Sequence, residues 1–153
     1  MKFIKADKGI FSFQIDGQEK RLLFEVLGLY PLIPASHSRL SKSEERAEDQ
    51  QLLEEALAEQ RRDHKKQVQA MMKAKSRFRA NKKGFRFTLK AEQMEWLLQV
   101  LNDVRVGGWL ALGSPDGALE ILAAMNEKTA PYLWAMEMAG QFQMVLLKAM
   151  RAS

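Results

Sequence analysis

Two groups of residues have the chemistry to hold a partner. The first is a run of cations. Between positions 61 and 83 lie Arg61, Arg62, Lys65, Lys66, Lys73, Lys75, Arg77, Arg79, Lys82 and Lys83, against one acid, Asp63. That stretch is +9, and since the whole chain is +5 the remainder is −4. Clustered Lys and Arg bind phosphate backbones because each neutralised phosphate releases condensed counterions. Phe78 is the aromatic residue within the run, so base stacking has little to work with. The same charges also suit two other roles. They can pair with acids 44–59 of another chain, or form the solvated basic end of a helix whose dipole they complement. The second group is Asn102, Asp103 and Arg105. Asn102 and Arg105 are three apart and share a helix flank with Trp109, while Asp103 falls about 100° away. If buried, each needs a partner from another element. They are read as a structural polar motif, with a polar binding site as the alternative.

Composition removes several chemistries. The chain has no cysteine, so disulfides, thiol catalysis and thiolate metal sites are not expected. Its two histidines are His37 and His64, too few for a multi-histidine metal centre in one chain. His37 lies in the loop Pro31–Ser38 without a nucleophile pattern beside it. His64, among Arg61, Arg62, Lys65 and Lys66, is expected to be solvated. There is no phosphate loop, dinucleotide fingerprint or metal-ligand spacing. Catalytic residues, a metal and a cofactor are therefore not expected, and neither is an enzyme. Met1-Lys2-Phe3-Ile4-Lys5 meets charge at once, so a signal peptide is not expected. No uncharged apolar run reaches spanning length. A cytoplasmic protein without a membrane segment is the expectation.

The 153 residues, 46% hydrophobic and 28% charged, fit a single domain over 1–153. Lys2–Ala6 and Ile10–Ile15 read as a hairpin about Asp7-Lys8-Gly9. Phe11, Phe13 and Ile15 alternate with Ser12 and Gln14, so one face is dry. Asp16 and Glu19 form a capping-box variant that opens a helix over 17–30, ended by Pro31. Ser41 and Glu44 open another, predicted over 43–79. A helix of that length would span roughly 55 Å, so it projects or breaks near 60–64. After a turn at Asn81–Gly84, Phe85, Phe87 and Leu89 alternate with Arg86 and Thr88 in a third strand. Helices follow over 90–112, 115–126 and 130–150. The last is apolar nearly all round and is expected to be buried nearly all round. Its methionines are read as core filling. Gly107-Gly108 inside a helix costs roughly 1 kcal/mol per glycine, which implies that another backbone packs closely there.

Several residues also resemble a known family. Phe87-Thr88-Leu89, Trp96-Leu97, Leu101-Asn102-Asp103-Val104-Arg105, Leu112-Gly113 and the later Tyr132-x-Trp134 look like a mainly actinobacterial domain family of unknown function with a Leu-Asn-Asp-x-Arg helix motif. The match is partial. The family's later Leu-Gln pair is displaced here to Gln141 and Gln143, and the acidic-then-basic segment 43–79 is not its usual middle. The resemblance implies a bacterial protein and a short strand pair before helices. It implies no activity.

The expectation is thus an α+β fold, mostly helical. A small three-stranded antiparallel sheet (2–6, 10–15, 85–89) packs on a helical bundle, with one long charged helix. The leading function is a non-enzymatic protein–protein interaction or regulatory module. It would act on itself, as a homodimer, or on another protein. In a homodimer, Leu57, Met71 and Phe78, spaced by sevens, would form a seam between antiparallel copies. The alternative is nucleic-acid binding through residues 61–83.

Overall fold

In the computed structural model, which describes residues 1–34 and 47–153, the chain is α+β and mostly helical. Strands β1 (Lys2–Asp7) and β2 (Ile10–Ile15) pair antiparallel. Lys8 and Gly9 between them both have positive φ, 49° and 76°, the twist a tight hairpin requires. A register shift between Phe3 and Lys5 turns Ile4 outward. Helix α1 (Gly17–Gly28) starts on the expected reciprocal cap. The Glu19 N–H donates to Asp16 at 2.8 Å and the Asp16 N–H to Glu19 at 3.2 Å. His37 and the Ser41/Glu44 cap lie outside the described residues.

Helix α2 (Ala47–Lys73) is unbroken through 60–64 but ends six residues short of the expected 79. Residues 79–81 form instead a fourth strand, β3 (Arg79–Asn81), paired with β4 (Gly84–Lys90). The sheet order is β1-β2-β4-β3, antiparallel throughout. Phe78 explains the early helix end. It is buried, with its ring 4.8 Å from Phe87 and 5.3 Å, edge-on, from Phe24. Aromatic contacts of this kind add ~0.5–1.5 kcal/mol each beyond burial, and Phe78 reaches them only if the helix has ended. Lys20 lies over the same cluster, 4.3 Å from the Phe85 ring centre and 5.1 Å from that of Phe78, adding cation–π attraction.

Phe11, Phe13, Ile15, Phe87 and Leu89 form the dry sheet face. They pack with α1, α3 (Ala91–Ala111) and α5 (Ala130–Ala152) around one core. α3 and α5 share the largest helix–helix contact, and Gly108 lets them approach, while Gly107 admits the segment after α1. A methyl at Gly108 would sit 2.7 Å from the Tyr132 carbonyl oxygen of α5, and one at Gly107 2.7 Å from the Leu32 backbone. The short helix α4 (Ala118–Ala124) buries no residue. α5 is buried along Ala135, Ala139, Phe142, Leu146 and Ala149 only. Met144, Leu147 and Met150 face outward, contrary to the all-round burial expected for this helix. α2 would extend about 40 Å. It meets the core through Val68 and Met71, and nothing between Ala47 and Gln67 is buried. Among the described residues no helix is long and apolar enough to cross a membrane.

Candidate functional site

The outward face of the sheet collects cations by strand parity. In β4, Phe87 and Leu89 point inward, so Arg86, Thr88 and Lys90 point outward. The β3–β4 register places Arg79 directly opposite Arg86, and Arg86 opposite Gln14 of β2. Gly84, with φ +126°, has no room for a side chain, since a Cβ would come 2.5 Å from the Ile15 carbonyl oxygen. The Gln14 and Asn81 amides hydrogen-bond to each other at 3.1 and 2.8 Å, which ties the β3 edge to β2.

Beside this face the turn after α2 brings in Ser76 and Arg77. A cavity of about 500 Å³ results. Its wall carries Arg77, Arg79, Arg86 and Lys90 with Ser76, Thr88 and Gln93, and no carboxylate among the described residues. The Arg77 guanidinium is held by its Nη1, which donates to the Thr88 carbonyl at 3.1 Å. Lys90 is also the N-cap of α3, its N–H donating to Gln93 Oε1 at 2.9 Å. The positive end of a 21-residue helix therefore points at the same place. A second hollow of about 430 Å³ shares Arg77, Lys90 and Gln93 and runs on to Gln67 and Trp96. Gln67 Oε1 and Arg77 Nε, both at its wall, are buried side-chain atoms without a hydrogen-bond partner.

Like charges directly opposite across a sheet are destabilising. Arg79 facing Arg86, with Arg77 and Lys90 alongside, is such an arrangement. An anion placed among them would offset the repulsion and accept charge-assisted hydrogen bonds from the arginine forks.

The ten cations expected from the sequence do not form one strip. Arg77 and Arg79 reach the cavity. Lys82 and Lys83 form the turn between β3 and β4, and Lys73 and Lys75 are exposed at and just after the end of α2. Arg62 and Lys66 are exposed on α2. Lys65 is engaged in the fold, donating from Nζ to the Tyr30 carbonyl at 2.9 Å. Arg61 is half-buried and lowers the pKa values of both Asp103 and Tyr30 by its charge. Arg86 and Lys90 come from outside the 61–83 run.

Asn102, Asp103 and Arg105 separate. Asp103 turns inward and accepts from the Leu32 N–H at 2.6 Å and the Ile33 N–H at 3.2 Å. Burial raises its pKa, against the lowering effect of those two donors and of Arg61. Asn102 and Arg105 point outward and bond to each other, Nη2 to Oδ1, at 3.0 Å. Burial also raises the Tyr30 pKa, with Asp103 adding to the rise. His64 is half-buried with its ring 6.3 Å from that of Tyr30, and burial lowers its pKa despite Asp63. It is not the solvated histidine expected.

The seam of Leu57, Met71 and Phe78 does not exist as one surface. Met71 and Phe78 lie in the chain's own core, and Phe78 is beyond the helix. The heptad spacing holds only while the chain is helical, and it stops being so at Lys73.

Comparisons with protein-family models, with curated proteins and with solved structures returned no match to this chain.

Proposed function

We propose that this chain is a non-catalytic binding module that grips the phosphate backbone of nucleic acid. The observation that carries the reading is the convergence of Arg77, Arg79, Arg86 and Lys90 on one cavity with no carboxylate among its described lining residues. Hydroxyls from Ser76 and Thr88 add neutral donors, as backbone-positioning contacts commonly do. No exposed aromatic lies in the cavity wall, where Phe87 is buried. This favours backbone contact over base stacking.

The test is fluorescence anisotropy with a labelled single-stranded oligonucleotide across a salt series. Four phosphate contacts on a single strand give a slope of about −3 in log K against log salt. Between 50 and 200 mM salt that is a loss of about 50-fold. Arg79→Ala and Arg86→Ala should each weaken binding for every sequence tried and flatten the slope by about 0.7 unit. No binding at 50 mM salt, or binding indifferent to both substitutions, refutes the reading.

A protein-interaction module is the second reading, favoured by α4. Leu119 and Leu122 are 83% and 64% exposed there, with Met125 just beyond. Contiguous exposed apolar surface marks contact sites. Capture from a cell extract, with and without nuclease, separates the two.

A further inference from the structure

α5 and Arg105 of α3 line a groove of about 550 Å³ that shares no residue with the sheet-face cavity. Met144 and Leu147, 55% and 42% exposed, form its apolar floor. Arg105, Lys148 and Arg151 form its rim, which carries no acid among the described residues. The opposite pattern stands on the first half of α2. Leu52 is 65% exposed. On its helix face stand Glu48 and Asp49, four and three residues before it, and Glu55 and Glu59, three and seven after it. One surface is an apolar strip with a basic rim, and the other is an apolar point with an acidic rim. Their lengths agree. Ala47 to Glu59 spans roughly 20 Å and Gly140 to Arg151 roughly 18 Å at 1.5 Å per residue.

We propose that the acidic half of α2, Ala47–Glu59, docks into the α3–α5 groove of a second copy of this chain. The chain carries both complementary surfaces. On this segment Glu48, Asp49, Leu52, Glu55 and Glu59 are exposed, while Leu53, Leu57 and Ala58 on its other side are half-buried. Reciprocal exchange of the two helices makes a closed two-fold pair with each contact formed twice. Carboxylates meeting Arg105, Lys148 and Arg151 supply steering and register. Leu52 over Met144 and Leu147 supplies the apolar burial that surface ion pairs alone do not. This contact does not depend on the phosphate-binding reading, since it uses none of the residues around that cavity.

Sedimentation velocity on the nuclease-treated full chain tests it by charge exchange. The wild type should associate at tens of micromolar in low salt and weaken at least fivefold in 0.5 M salt, where screening is short-ranged. Lys148→Glu/Arg151→Glu should be monomeric, and so should Glu55→Lys/Glu59→Lys, because each then opposes like charges. Mixed together, the two variants should associate again, since both contacts in the mixed pair are complementary. Arg79→Glu/Arg86→Glu should associate like the wild type. Circular dichroism confirms that each variant is folded. A wild type that stays monomeric in low salt overturns the proposal. So does failure of the mixture to associate, or loss of association in the sheet-face variant.

Discussion

Asp103 shows how much one buried acceptor holds in place. Its Oδ1 accepts the N–H groups of both Leu32 and Ile33, in the segment where the chain leaves α1 and passes over Gly107. Asp103→Leu removes the acceptor and leaves two donors without a partner. At ~1–3 kcal/mol for each donor stranded from water, the loss is about 2–6 kcal/mol. For a chain of this size that lowers Tm by about 4–24 °C. Asp103→Asn keeps an oxygen that can accept both donors and removes the charge, so at pH 7 it should stay within about 1 kcal/mol of wild type. The pH dependence follows from the direction of the shift. Burial raises the folded-state pKa above the unfolded value. The folded state thus binds the extra proton, and this group's favourable contribution is full below the unfolded pKa. It is lost as pH rises through the folded pKa. Wild type should therefore gain on Asp103→Asn in acid and lose that advantage towards neutrality. Thermal unfolding by circular dichroism from pH 3 to 8 reads both effects. An Asp103→Leu protein that melts within a degree of wild type, or an Asn-to-wild-type difference that does not change with pH, refutes the reasoning.

Gly108→Ala should cost about 1–3 kcal/mol in chemical denaturation, because its methyl meets the Tyr132 backbone at 2.7 Å and a helix backbone cannot yield cheaply. Phe78→Ala should cost ~3–5 kcal/mol by the same measurement, since it empties the space between Phe24 and Phe87. Leu119→Ser, at an exposed site on a helix with no buried residue, should change stability by no more than about 0.5 kcal/mol. Inorganic phosphate at tens of millimolar should raise the Tm of wild type more than that of Arg79→Ala/Arg86→Ala, read by differential scanning fluorimetry at constant ionic strength.

The elements that were legible in the sequence are those whose period repeats often enough to be seen. Phe11, Phe13 and Ile15 alternate over a full strand, and Met94, Leu97, Leu101 and Val104 recur over three turns, so β2 and α3 fall where expected. β3 has three residues, none of them buried, and a period of two cannot show in so short a run. Its existence was implied only indirectly, by a turn at 81–84 before a clear strand. The end of α2 was hidden for a related reason. Met71, Met72 and Phe78 continue a helical spacing, and nothing local distinguishes a phenylalanine seven residues after Met71 on a helix from one drawn into an aromatic cluster with Phe24 and Phe87. Those partners are 54 and 9 residues away in sequence, and only the folded sheet brings them together.

The same distinction governs the candidate site. Counting charges along the chain finds the run from 61 to 83, but adjacency in sequence is not adjacency in space. Lys65 is engaged with the Tyr30 carbonyl, and the half-buried Arg61 acts by its charge on Asp103 and Tyr30. The cations that converge are the ones that strand parity selects. Arg86 and Lys90 alternate with Phe87 and Leu89, so burying the phenylalanine and leucine commits both bases to the open face. Pairing β3 to β4 then fixes Arg79 against Arg86. The cavity is thus a consequence of packing the aromatic core. The residues that bury the inner face determine which charges must share the outer one, and that repulsion is what an anion would relieve. A hairpin held together partly against its own charge should also be the part of the sheet most responsive to salt. Amide exchange at Asn81 and Arg86, which bond across β3–β4, should slow when multivalent anions are added, while exchange in β2 stays as it was. Equal slowing in both strands would mean that the anions act on the whole fold and not on the Arg79–Arg86 pair.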